Sequence, residues 1–230
     1  MPRESLLGCT TDPRRTSQTR YRHRAEQRQQ IYGALPQATF SNLAHLLENH
    51  AQQLVSIDFF TVPTIRFRVL YVFLVLAHDR RRIFHFNVTA HPTAEWTGQQ
   101  LREAFPFDQL PRYLLRDRDR IFGDDFREQV RDMGICEVLS APRSPWQRAY
   151  VERVIGSIRR ECLDHVIVFN EHSLRRTLNS YFDYYHRSRT HLSLGKDSPE
   201  PRAIQPPEMG SVVSVPQVGG LHHRYKRQAA

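Results

Sequence analysis

The chain has 230 residues, 40% of them hydrophobic, which suffices for one domain of ordinary size plus extensions. Its formal net charge is +9, and Arg greatly outnumbers Lys. That balance points to a polyanionic partner, because a guanidinium offers phosphate a two-pronged fork, although charge alone does not separate DNA from RNA or a membrane surface. No run is apolar enough to span a bilayer and no secretory leader is visible. Cys9, Cys136 and Cys162 have neither disulfide-like nor metal-knuckle spacing, so a soluble cytoplasmic protein with free thiols is expected.

Residues 1–50 differ from the rest. Met1 to Gln30 is rich in Arg, Gln and Thr and reads as a disordered or partly helical basic arm, with a short helix around Leu43 to His50. Cys9, His45 and His50 fit no compact zinc finger and are read as ordinary surface residues. From Leu54 the pattern changes. Leu54 to Val62 alternates with period two and is expected to be a strand, with Asp58 at its middle. Phe67 to His78 and Ile83 to Val88 extend it into a three-stranded antiparallel meander, with Asp79 in the second turn.

Thr93 predicts the N-cap of a helix over Ala94 to Phe105. Tyr113 to Arg116 is a short strand running into Asp117. A helix capped by Asp124 or Asp125 ends near Gly134, and Ile135 to Leu139 is a fifth strand. After a loop from Ser140 to Gln147 comes a helix carrying Glu152, and Ser173 to Tyr185 is a further amphipathic helix. Beyond Pro199 the chain is expected to be extended, packed on the surface or mobile, ending in a basic tail over 208–230. Strands followed by alternating helices and short strands define an α/β fold, a mixed sheet with helices on both faces.

Three acids stand out. An Asp inside an apolar strand is costly unless it is paired or holds a metal. With this element order the first and fourth strands can be neighbours, and a helix over them can bring Glu152 beside Asp58 and Asp117. Three converging carboxylates need a counter-charge, and two divalent cations with oxygen ligands would supply it while activating a hydroxyl toward a phosphodiester. Taken alone, the stretch Arg143 to Glu161 is equally a surface helix with Glu–Arg pairs.

With these acids in place the chain resembles the DDE group, the retroviral-type integrases and bacterial insertion-sequence transposases. The matching stretches are VSIDFF around Asp58, LLRDRDRIFGDDF around Asp117, PRSPWQRAYVERVIGSIRREC around Glu152, and the ending YYHRSRTHLSLGKDSPEPR. They stand in the family's order, with 34 residues between Asp117 and Glu152. The resemblance implies a catalytic core over 51–207 of ribonuclease H-like fold: three antiparallel strands, then two parallel ones, flanked by helices. It also implies Asp58, Asp117 and Glu152 as catalytic residues and ligands of two Mg²⁺ or Mn²⁺ ions. The activity implied is nicking at an element end followed by strand transfer into target DNA. Also implied are a homo-oligomer assembled on DNA, a bacterial nucleoid-associated location, no membrane partner and no ATP.

In the second motif Asp119 competes with Asp117. The family's Arg-Asp-x-x-x-x-aromatic pattern, met by Phe122, selects Asp117 and leaves Asp119 as a turn residue or helper. Where relatives have Gln-Asn, this chain has Gln147-Arg148, and an Arg cannot accept a hydrogen bond. Arg148, Arg159 and Arg160 are assigned to DNA phosphates, against the alternative of a solvated basic helix face. Trp146 is expected to pack on the domain rather than wedge a base. Residues 1–50 lack the helix-turn-helix pattern of the family, so a truncated chain or a remnant of a longer transposase is expected. The competing functions are an inactive DNA-binding remnant and a ribonuclease H-like nuclease that hydrolyses without joining.

Overall fold

A computed structural model describes residues 50–106, 110–140 and 148–229. The arm and short helix of residues 1–49, Trp146 and the loop preceding Arg148 lie outside the described residues.

Five strands form one sheet in the order β3-β2-β1-β4-β5. β1 (Leu54–Pro63) pairs antiparallel with β2 (Val69–Ala77), which pairs antiparallel with β3 (Ile83–Thr89). β4 (Tyr113–Arg116) runs parallel to β1, and β5 (Cys136–Leu139) parallel to β4. This is the mixed sheet expected from the sequence. β2 starts later than its apolar run suggests. Phe67 turns to φ 57° and is 94% exposed, while Thr64 closes the hairpin by accepting the Arg68 amide at 3.0 Å.

Helices cover both faces. α1 (Ala94–Ala104) begins where Thr93 Oγ1 accepts the Trp96 amide. Together with α2 (Asp124–Asp132) it packs on Val55, Ile57, Phe73 and Val75. Gly123, not Asp124 or Asp125, caps α2. Both carboxylates sit in its first turn, where they face the positive end of the helix dipole, and Asp124 also pairs with Arg127 at 3.1 Å. On the other face, α3 (Ala149–Glu161) and α4 (Glu171–Arg187) pack on Phe60, Val62, Val72 and Leu74. Burial of Val151, Val154 and Ile158 anchors α3, each side chain contributing about 1.5–3 kcal/mol. α4 begins earlier than expected because Asn170 and Ser173 close a capping box.

The C-terminal region is packed on the surface, as one of the expected alternatives had it, but as a paired hairpin. β6 (Ser211–Gln217) and β7 (His222–Gln228) pair as an antiparallel hairpin. The hairpin is docked: Val218 joins the α3/α4 core, His222 stacks on Tyr184 at 4.3 Å, and its Nε2 lies 2.8 Å from the Glu161 carbonyl. No described helix is long and apolar enough to cross a membrane.

Candidate active site

Alternation along β1 puts Ser56, Asp58, Phe60 and Val62 on one face, the face covered by α3. β4 lies parallel beside β1, with Ser56 level with Leu115. Two residues beyond this pair stand Asp58, still within β1, and Asp117, the residue that follows β4. Glu152 sits in the first turn of α3, over this edge. The helix start turns its positive end toward the acids.

The three carboxylates meet on one side chain. Arg148, the N-cap residue of α3, places Nη1 3.2 Å from Asp58 Oδ1 and 3.0 Å from Asp117 Oδ2. Its Nη2 donates to Glu152 Oε1 at 3.3 Å. Exposure rises across the site, from 11% for the Asp58 side chain to 29% for Asp117 and 40% for Glu152, so the centre opens to solvent on one side. Burial raises the Asp58 pKa from 3.8 to about 6. The Arg148 charge and the Phe59 amide pull it down, and Asp117 and Glu152 push it up.

The carboxylates are themselves held. Arg116, buried at the end of β4, donates to the Asp117 carbonyl at 2.6 Å and pairs with Glu137 at 2.7 Å. Asp117 Oδ1 accepts the Asp119 amide, and Asp119 Oδ1 accepts the Ile121 amide, so Asp119 is the turn residue expected. Arg159 donates to the Thr61 carbonyl at 3.1 Å and lies over the Phe60 ring, on the same strand face as Asp58. Arg160 is exposed beside Gly156. Arg148 points inward among the acids rather than out toward a ligand backbone, and its side chain is 18% exposed.

Sequence reasoning missed two structural devices. One is the Arg116 anchor, signalled only by a charged residue ending a strand buried throughout. The other is the role of the ending motif. Arg189 of that motif forks onto Glu161 at 2.7 and 2.6 Å and, together with Tyr181 just before the motif, which donates to the same carboxylate at 2.8 Å, locks the C-terminal end of α3.

Residues 133–199 match the family model described as "Integrase core domain". Among solved structures, the chain is similar to a simian T-cell lymphotropic virus intasome solved with PP2A regulatory subunit B56 gamma. There the identity is 12% and the TM-score 0.52, over 76% of this chain and 66% of that one, just under two thirds of its length. It is also similar to the HTLV-2 integrase catalytic core in complex with magnesium, at 12% identity and TM-score 0.50 over 64% of this chain and 93% of that one. No curated protein matches the chain by sequence. The fold is that of an integrase core, ribonuclease H-like. In this fold Asp58 comes from the central strand, Asp117 from the residue after its parallel neighbour, and Glu152 from the helix after β5.

The donor set can be tested against a divalent cation. Three carboxylates supply hard oxygen ligands, the kind that Mg²⁺ and Mn²⁺ take, and the Arg148 guanidinium already stands among them as a cation. The residues therefore fit a metal by kind. Arranged around the guanidinium, no three described acids, imidazoles or thiols close on a single ion.

Proposed function

We propose that this chain is a metal-dependent DNA strand-transfer enzyme of the DDE type, with Asp58, Asp117 and Glu152 as catalytic residues and ligands of two Mg²⁺ or Mn²⁺ ions. One observation carries the reading: three acids from separate elements contact one cationic group at 3.0–3.3 Å. Three acids gathered at one point repel one another, and the single Arg148 charge offsets only part of that repulsion, which leaves room for a further cation. When bound, divalent cations supply the Lewis acidity that ionises the attacking hydroxyl and neutralises the leaving oxygen. The chain's own residues do the positioning. Arg116 fixes Asp117, the Arg189–Glu161 fork fixes the helix that carries Glu152, and Arg159 and Arg160 offer charge to phosphates along that helix.

The reaction is hydrolysis at the element end, then attack of the freed 3′-hydroxyl on a target phosphodiester. One ester replaces another, so no nucleotide cofactor is consumed. The domain division proposed is a basic N-terminal extension over 1–50, the core over 51–207 and a basic C-terminal unit over 208–230. DNA as partner is supported by the +9 charge and by a cleft of about 850 Å³ beside the C-terminal hairpin. Lys196, Arg202, Arg224, Lys226 and Tyr225 line that cleft. Assembly of several copies on DNA belongs to the same reading.

A non-catalytic DNA-binding chain is the competing reading, favoured by Arg148 filling the carboxylate centre. A strand-transfer assay separates them, using purified protein, Mn²⁺ and duplexes carrying the terminal repeats that flank the coding sequence. Wild type is expected to give joined products and Glu152→Gln none. Salt-sensitive binding by both proteins, with neither nicking nor joining, would establish the non-catalytic chain.

A further inference from the structure

We propose that Arg148 is a built-in counter-ion that occupies the cation position of the carboxylate centre, and that divalent metal enters by displacing it. The proposal rests on the reading of Asp58, Asp117 and Glu152 as metal ligands.

The geometry is specific to this residue. Its guanidinium contacts all three acids, Nη1 bridging Asp58 and Asp117 while Nη2 reaches Glu152. A guanidinium stays charged at any pH the protein tolerates, so the centre is never without this cation while Arg148 points inward. The fit is nevertheless incomplete. Nη1 is buried but makes no aligned hydrogen bond, although two carboxylates lie within 3.2 Å of it. The side chain is held there by charge more than by directional bonding. One positive charge also under-compensates three acids, whereas a divalent ion brings twice the charge and direct oxygen coordination.

Arg148 is free to leave without disturbing the helix. It is the N-cap residue, outside the regular turns of α3, and its side chain makes no capping bond. The helix is anchored elsewhere, by Val151, Val154 and Ile158 and by the fork from Arg189 to Glu161. Metal binding is thus an exchange, and the apparent affinity is reduced by the fraction of molecules with Arg148 inside.

The test is Mn²⁺ binding by the full chain, read directly from the electron paramagnetic resonance signal of the free ion. Arg148→Asn is expected to bind Mn²⁺ at least about tenfold more tightly than wild type, a difference of about 1.4 kcal/mol. Arg148→Lys, whose single ammonium cannot reach three acids at once, should fall between them. In chelator the Asn variant should melt below wild type, because three acids are left without their cation, and Mn²⁺ should reverse the loss. Adding Asp58→Asn to Arg148→Asn should abolish the gain.

Equal or weaker Mn²⁺ binding by Arg148→Asn, with a native far-ultraviolet circular dichroism spectrum, overturns the proposal. If Asp58→Asn still abolishes binding in that case, the carboxylates remain metal ligands and only the role of Arg148 falls. If neither wild type nor any variant binds Mn²⁺, the metal-dependent reading falls with it. Should the Asn variant fail to fold, the wild-type-to-Lys comparison decides: unchanged affinity overturns the proposal and a gain supports it.

Discussion

His78 offers a stability test directly beneath the carboxylate centre. It follows β2, buried, with Nε2 2.5 Å from the hydroxyl of Ser56, which lies two residues before Asp58 on the same strand face. Its ring meets Tyr150 of α3 edge-on at 5.1 Å, and the Arg81 guanidinium lies 4.7 Å from the same tyrosine ring. Burial, reinforced by the Arg81 charge, lowers the His78 pKa from 6.5 to about 4. The unfolded chain therefore takes up the proton first. Stability from the neutral ring is fully present above pH 6.5 and is lost as pH falls toward 4. A gap of roughly 2.5 units corresponds to at most about 3 kcal/mol, of which about 2 kcal/mol is gone by pH 5.

His78→Gln keeps a hydrogen-bonding group for Ser56 and removes the titration. Urea unfolding followed by circular dichroism in chelator, at pH 7.5 and pH 5, gives both stabilities. Between those values wild type should lose about 2 kcal/mol more than the variant. His186 is also lowered, and His191 falls to about 4, but both titrate in either protein and cancel in the difference. Parallel losses in the two proteins would refute the argument that His78 is buried neutral.

Two further outcomes are expected away from the centre. Arg189→Ala should destabilise the fold by about 2–3 kcal/mol in urea unfolding, because it strips a two-bond fork from the half-buried Glu161 carboxylate. Arg189→Lys, keeping charge without the fork, should recover only part of that loss. Gly210 has φ 109°, and a Cβ there would meet the Gln228 carbonyl oxygen at 2.2 Å. Gly210→Ala should therefore speed hydrogen exchange across the β6–β7 hairpin while the amides of β1 and β2 keep their protection. Uniform exchange through both regions would contradict a locally docked hairpin.

Local patterning made most of the fold legible. Period-two alternation marked β1, a nearly all-apolar run marked β2, and Thr93 marked the start of α1, because each signal depends only on residues close in the chain. The hairpin at the end was missed for a different reason. HHRYKRQ carries no apolar alternation, and although its pairing with β6 is local, the docking of the hairpin rests on His222 against Tyr184, residues far apart in sequence. The Gly123 cap escaped because Asp124 and Asp125 serve the helix from inside its first turn as well as from a cap.

The three acids were found in the sequence because an Asp in an apolar strand and acids at fixed places among arginines are costly features that demand a reason. Their convergence came from the parallel pairing of β1 with β4, which brings the end of β4 and Asp117 beside Asp58, and from the packing of α3 on the same sheet face. What only the tertiary structure decided was the occupant of the space between them. In the sequence Arg148 is one basic residue among many near a helix start. Its place at the centre depends on three partners 90, 31 and 4 positions away. Charge that comes together through folding leaves no periodic trace along the chain, so its role emerges only when the distances are known.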